Sequence, residues 1–410
     1  MTYEISSIGP DDLAELGRAV GTAFGDVLTD EQLEDERLIT EYDRMIGVVD
    51  GGQFVAGAGA YSFEQTLPGC TAIPVAGVTW VGCLPSHRRR GVLTSMMRYQ
   101  LDDVAARGES VAILTASEAV IYGRFGYGFS SQLAWAKVAK KRSAFVREPQ
   151  TNGRIRYVWG DERAKVLPPV FDQWRRSRPG SVDRNEGKWK GYLLDRERER
   201  HGASQAFTIV HEDVTGTADG YAWYRVREAR EYLPNVVVVR EVIASDPEVE
   251  AALWRFLLDL DLSDELEAEL QPVDSPLPMR LADYRAYRTT FIADFLWTRV
   301  LDAPAALAAR RYGTEGSLVI DVVDEFRPEG AANGRFRLDA SPEGAACKPV
   351  DRSVDADVSV TATGLGSAYL GGVSWTTLAA AGRASGTPEA LRRADLLFSC
   401  TPLPFCNTGF

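Results

Sequence analysis

Cysteine is scarce in this 410-residue chain: Cys70, Cys83, Cys347, Cys400 and Cys406 make an odd number without a CxxC pair. Reduced thiols in a cytoplasmic protein are the simplest expectation, and a disulfide framework is not. Histidine is scarcer still. The three residues His87, His201 and His211 have no metal-ligand spacing and belong to no recognisable Ser/His/Asp or Cys/His set, so no metal is expected. No apolar run approaches the roughly 20 residues that span a bilayer. The opening MTYEISSIGPDDLAEL has neither the basic leader nor the apolar core of a secretory signal. Positive charge is in deficit, with a formal net charge of −12. That argues against a nucleic-acid partner and favours small or cationic ones.

What is present is the composition of a folded protein, 45% hydrophobic and 10% aromatic, in a chain long enough for two or three cores. Three regions differ in patterning. The first, 1–140, predicts a helix over Pro10–Phe24, strands over Arg44–Val49 and Phe54–Phe63, a helix ending near Arg107, the strand VAILTAS and the short element AVIYGRFGYG. The second, 141–285, repeats that order with AFTIV, GYAWYRVR, NVVVVREVIA and a helix at EVEAALWRFLLDL. The third, 286–410, opens near FLWTRVLDAPAAL, alternates through SLVIDVVDEF, GRFRLDAS and ADVSVTAT, and ends with two helical segments and PFCNTGF. The pattern is that of α+β domains, with the Pro-rich QPVDSPLPMR as a joint.

The stretch CLPSHRRRGVLTSMM places three arginines at the mouth of a helix, against the helix dipole. An anion there would account for the cost. A helix start presents unpaired backbone N–H groups, Gly91 lets a ligand approach the backbone, and Arg88, Arg89 and Arg90 would add charge-assisted bonds to phosphate oxygens. Alone, such a run reads as a solvated basic loop. Its setting, between an apolar strand and an apolar helix, resembles the Q/R-x-x-G-x-G/A motif of GCN5-related N-acetyltransferases. Here the motif falls on Arg88, Gly91 and Leu93, and Leu93 departs from its last position.

Together HRRRGVL, ASEAVIYGRFGYGF and the final PFCNTGF resemble the Eis family of actinobacterial acetyltransferases over nearly the whole chain. The resemblance implies tandem acetyltransferase-like domains followed by a sterol-carrier-like α+β domain. It implies acetyl-CoA as co-substrate, bound only by the first domain, a homo-hexamer, and acetylation of amines such as aminoglycosides or lysine side chains. Cofactor contacts would come from Val81, Gly82 and Cys83 on the strand, from Arg88, Arg89, Arg90, Gly91, Val92, Leu93 and Thr94 at the helix start, and from Ser117. A backbone N–H near Val81 would serve the oxyanion.

The central region tests the single-site expectation. Between NVVVVREVIA and its helix stands SDPEVEAALW, without glycine or arginine before the helix and with three acids near its start. Asp246 or Ser245 would cap that helix, and the acids would repel a pyrophosphate.

By the same resemblance Tyr122 is the general acid, and the carboxylate of Phe410 is the general base. A phenol has a pKa near about 10, suited to protonating a departing thiolate. Tyr127 is the local competitor. A terminal carboxylate is a weak base unless desolvated or working through water. Phe24, Asp26 and Trp80 are the expected acceptor contacts, an acid and aromatic faces suiting a cationic amine. The acidic run DEQLEDE reads as a solvated helix face, and it lacks a tryptophan that family members carry. Two alternatives stay open: a non-catalytic lipid or acyl-CoA binder, and a dedicated protein-lysine acetyltransferase.

Overall fold

The computed structural model describes residues 3–228 and 234–410. The chain forms two compact units, one of residues 1–131, 295–404 and 408–410, the other of residues 132–294 and 405–407.

The first unit begins with β1 (Glu4–Ser7), α1 (Leu13–Phe24), α2 (Asp30–Arg37), β2 (Ile46–Asp50), β3 (Gln53–Thr66) and β4 (Ala72–Cys83). It continues through α3 (Val92–Ala106), β5 (Val111–Thr115), α4 (Ala119–Tyr122) and β6 (Gly128–Phe129). Helix α1 buries Leu13, Leu16 and Val20 on one face, and Gly25 ends it by donating to the carbonyls of Gly21 and Thr22. Helix α3 buries Met96, Met97, Leu101 and Val104 against Val48, Ala56, Val78 and Leu114 of the sheet. Each such side chain contributes about 1.5–3 kcal/mol.

The central unit comprises β7 (Gln132–Ala139), β8 (Arg154–Val158), α5 (Glu162–Arg175), α6 (Glu186–Leu194), β9 (Phe207–Glu212), β10 (Ala218–Arg227), β11 (Asn235–Ala244), α7 (Pro247–Asp259), β12 (Ser263–Gln271), α8 (Leu277–Arg280) and β13 (Tyr287–Asp294). Its sheet runs β13-β7-β12-β11-β10-β9-β8. Asp246 caps α7 by accepting from the Glu248 N–H at 2.7 Å.

The remainder of the first unit is β14 (Leu296–Val300), α9 (Ala303–Ala309), β15 (Gly316–Val323), β16 (Gly334–Ala340), β17 (Ala345–Pro349), β18 (Val358–Thr361), α10 (Ala362–Tyr369), α11 (Trp375–Ala380), β19 (Ala384–Gly386) and α12 (Pro388–Phe398). Strands β15 to β19 form a sheet of their own, ordered β17-β16-β15-β18-β19. Strand β14 instead completes the first sheet, β1-β2-β3-β4-β5-β14-β6, pairing Leu296 with Thr115 and Trp297 with Phe129.

The changes of sheet differ from the boundaries at 140 and 285 read from the sequence. Strand β7 already belongs to the central sheet, and β13 still does, the two pairing antiparallel from Tyr287–Val138 to Asp294–Gln132. Composition marks joints by proline and charge, whereas these crossings lie in ordinary strand sequence whose partners are remote.

Candidate active site

Strand β4 carries the site. On one side it pairs with β3 from Cys83 to Ala72. On the other it pairs in parallel with β5 only over Ala76–Val78, opposite Ala112–Leu114. Beyond Val78 the two strands part, and the edge of β4 that faced β5 is left without a ladder. A bulge occurs at the same place: Gly57 pairs with Gly82 and Gly59 with Thr79, so Trp80 and Val81 together oppose Ala58. Trp80 has a left-handed φ of 57°.

The bulge aims the indole. Trp80 donates from Nε1 to a Glu36 carboxylate oxygen at 3.3 Å, and Tyr61 donates its hydroxyl to the same oxygen at 3.3 Å. Burial, followed by the charge of Glu36, raises the Tyr61 phenol well above its ordinary pKa. One residue along β3, the Ser62 N–H and hydroxyl both donate to Glu41, at 2.7 and 2.6 Å. Ser62 also accepts from Arg44, whose guanidinium makes a buried ion pair with Glu109. Two carboxylates, Glu36 and Glu41, are thus held beside the aromatic residues of β3 and β4.

The last residue of the chain lies where β4 and β5 part. Thr115, the final residue of β5, donates its hydroxyl to the carboxyl oxygen of Phe410 at 3.2 Å. The Phe410 ring tilts against Phe63, with centroids 5.0 Å apart. Gly77 of β4 makes the room: a Cβ there would stand 2.4 Å from the Phe63 ring and 3.2 Å from that of Phe410.

Following β5, the chain turns through Ser117, which is exposed, into α4 and Tyr122, which is 7% exposed. Burial, with a smaller contribution from the Glu118 charge, pushes the Tyr122 phenol up to about 12. Tyr127 packs edge-on to it at 6.0 Å and is fully buried, its hydroxyl without a partner among the described residues. The turn is held from the later part of the same unit. Thr363 donates to the Gly123 carbonyl at 2.8 Å, Phe326 packs edge-on to Phe125 at 5.0 Å, and the Arg299 guanidinium lies against Gly126.

At the start of α3, Gly91 is the N-cap residue with φ 85°, and a Cβ there would meet nothing within 4 Å. Arg89 and Arg90 are exposed and make no side-chain hydrogen bond or ion pair among the described residues. Arg88 differs: it donates to the carbonyls of Cys83 at 3.3 Å and Ala23 at 2.8 Å. These groups fit a pyrophosphate: two uncommitted guanidinium groups and an open helix start, with Val92 buried and Leu93 and Thr94 in the first turn. Cys83 is half-buried, and burial raises its thiol despite Arg88 nearby, so it is not an activated thiolate.

Family models for an acetyltransferase (GNAT) domain match residues 4–130 and 180–300, and one for a sterol carrier protein domain matches 303–407. The chain is 40% identical to an uncharacterized N-acetyltransferase of Streptomyces avermitilis over 100% of both chains. It is 33% identical to the N-acetyltransferase Eis of Mycobacterium tuberculosis over 411 residues, 97% of each chain. The crystal structure of Eis1 from Mycobacterium abscessus superposes with a TM-score of 0.87, at 33% identity, covering 99% of this chain and 100% of that one. The chain belongs to the Eis family of N-acetyltransferases.

Its α+β fold is accordingly two acetyltransferase domains followed by a sterol-carrier-like domain. Acetyltransferases of the GNAT class use acetyl-CoA. No helix among the described residues is long and apolar enough to cross a membrane.

Against this Eis-family frame, the residues singled out in the sequence fall into two places. Trp80, Val81, Gly82 and Cys83 line the edge of β4, with Phe410 and the turn bearing Tyr122 near its opening. Phe24 and Asp26 stand at the far end of α1, beside Arg88. The Trp80 ring instead reaches the same helix at Gly17, about 10 Å back along its axis. Phe24 is 56% exposed.

One sequence expectation is corrected. Helix α2 is not merely a solvated face, because Leu33 is buried and Glu36 turns inward to Trp80 and Tyr61. Glu36, Tyr61, Phe63 and Thr115 were missed. Tyr61 and Phe63 share one face of β3 by strand alternation, which is a legible signal, whereas nothing local distinguishes Glu36 from the other acids of its run.

Proposed function

We propose that this Eis-family protein transfers the acetyl group of acetyl-CoA to a primary amine of a cationic, multi-amine acceptor, with both substrates bound together. The observation that carries the reading is the Phe410 carboxyl at Thr115, where β4 and β5 part. There a carboxylate would take the proton that an alkylammonium must lose before it can attack. Tyr122, kept protonated by burial, would give a proton to the departing sulfur. The backbone N–H near Val81, at the bulge, is the donor for the developing oxyanion. Arg89 and Arg90 with the start of α3 hold the pyrophosphate, and acetyl-CoA, when bound, supplies the thioester.

The acceptor side is acidic and aromatic. Glu36, Glu41, Tyr61 and Trp80 suit amines, and Asp26 adds a carboxylate at the rim. In the central domain the helix corresponding to α3 starts with its own cap, and Glu248 of its first turn is tied to Arg147 and Arg280. That supports one cofactor site per chain. A homo-hexamer is the assembly we expect, checked by sedimentation velocity.

The test is release of coenzyme A thiol across aminoglycosides, polyamines and lysine peptides, with Tyr122→Phe as control. Turnover with a multi-amine acceptor, lost in the control, is expected. Silence with every acceptor in a protein that does not bind acetyl-CoA would overturn the assignment.

A further inference from the structure

The central domain has a cavity of its own, of about 430 Å³, built entirely from its residues. It is large enough for a small ligand. Three aromatic side chains, Trp135, Tyr192 and Trp223, and three arginines, Arg225, Arg227 and Arg240, line it, with Arg200 and Glu269 at further points. None of the lining residues comes from the loop before α7, where a coenzyme pyrophosphate would sit in an acetyltransferase fold.

Most of the carboxylates around this cavity already have partners. Asp195 accepts from Arg225 at 2.6 Å and from the Ala206 N–H at 2.9 Å, with Arg200 alongside. Glu267 is shared by Arg227 and Lys137, and Glu269 pairs with Arg240 at 3.3 Å. Each of the three arginines gives one nitrogen to its carboxylate: Arg225 Nη2 to Asp195, Arg227 Nη2 to Glu267 and Arg240 Nη1 to Glu269. Trp223 Nε1 and Arg225 Nε are buried and have no hydrogen-bond partner among the described residues. The other guanidinium N–H groups of these lining arginines suit an occupant that brings acceptors, and the rings favour a flat apolar body.

The backbone singles out the same place. Two non-glycine residues of the lining, His201 and Leu270, both adopt a left-handed φ of 48°. Strain of this kind persists where surrounding structure enforces it, and it collects at ligand sites. Arg240 is an extra residue in β11, since Trp223 pairs with Glu241 and Tyr224 with Val239. The first domain places a bulge in its corresponding strand to present Trp80. The central domain uses a bulge to present a guanidinium.

We propose that this cavity is a second binding site, for a small aromatic carboxylate. The ring would lie among Trp135, Tyr192 and Trp223, and the carboxylate would meet Arg225 and Arg240. Planar guanidinium groups already fixed by their own carboxylates offer bidentate bonding at little ordering cost.

Isothermal titration of the full chain with benzoate, benzamide and inorganic phosphate tests this. Benzoate binds saturably, and benzamide and phosphate bind at least about tenfold more weakly. Arg240→Gln, at a partly exposed position, weakens benzoate at least about tenfold while the melting temperature and the acetyl-CoA affinity stay unchanged. Trp223→Phe, which shortens the aromatic wall of the cavity, weakens it as well. Three results would overturn the proposal: no saturable binding of benzoate, equal binding of benzamide or phosphate, or benzoate affinity unaltered in both variants. Competition between benzoate and acetyl-CoA would place the benzoate in the first domain and overturn it too.

Discussion

Thr115 and Phe410 are joined by a hydrogen bond between residues far apart in sequence: the Thr115 hydroxyl, at the end of β5, donates to the carboxyl oxygen of Phe410 at 3.2 Å. The Phe410 ring, packed on Phe63, fixes the same residue from its other end. Extending the chain by one alanine moves the carboxylate away from Thr115. We expect kcat to fall about 10²-fold, the usual size of a lost general base, with acetyl-CoA affinity retained. Steady-state kinetics and an acetyl-CoA titration check this, and unchanged turnover would remove Phe410 from the chemistry. Thr115→Val, which removes only the donor, is expected to cost less.

Tyr122→Phe is expected to lower kcat about 10²-fold with little change in KM for acetyl-CoA. The pH dependence gives a second check. Burial pushes this phenol from 10.0 up to about 12, so the protonated form is the favoured one in the folded protein. As a proton donor it stays competent across neutral and moderately alkaline pH, and the wild-type rate profile shows no alkaline limb from Tyr122 below pH 10. The sign for stability follows from the same shift. Its contribution is complete below the ordinary value of 10.0 and is lost as pH rises from there toward about 12. Tyr122→Phe should flatten that part of a urea-denaturation series.

Much of the fold was legible because it is written in short-range pattern. Leu13, Leu16 and Val20 recur at helical spacing, Gly25 stops α1, and the runs around Val48 and Val55 are short continuous apolar stretches, as in strands covered on both faces. The arginine loop was legible from its setting, a charge cluster between an apolar strand and an apolar helix, since the charge run alone reads as a solvated loop. What could not be read was pairing at long range. Nothing in LWTRV says that it completes the first sheet between β5 and β6. Glu36 was hidden among acids because its role depends on where a bulge in β4 sends Trp80.

The three arginines are not equivalent, which separates their expected variants. Arg88 bonds to the carbonyls of Cys83 and Ala23, so Arg88→Ala loosens the loop against the end of α1, costing about 1 kcal/mol of stability besides any loss of cofactor. Arg89 and Arg90 are uncommitted. Arg89→Ala with Arg90→Ala leaves the melting temperature unchanged and weakens acetyl-CoA about 10-fold or more, with a shallower salt dependence than wild type. Acceptor KM changes little. Equal loss of acetyl-CoA and acceptor affinity would contradict the phosphate-loop assignment.

Arg299 and Asp324 form an ion pair with side chains 0% and 1% exposed, and the same guanidinium lies against Gly126 in the turn that carries Tyr122. Arg299→Met strands the Asp324 carboxylate in the interior, at a cost of about 3–5 kcal/mol. Arg299→Met with Asp324→Asn removes the buried charge and should recover part of that loss, a coupling that a double-mutant cycle in urea measures. The two variants also separate stability from positioning. If Arg299 sets the Tyr122 turn, the double variant regains stability yet keeps a reduced kcat with near-normal KM for acetyl-CoA, and amides of residues 123–128 exchange faster. Full recovery of kcat along with stability would confine Arg299 to the core.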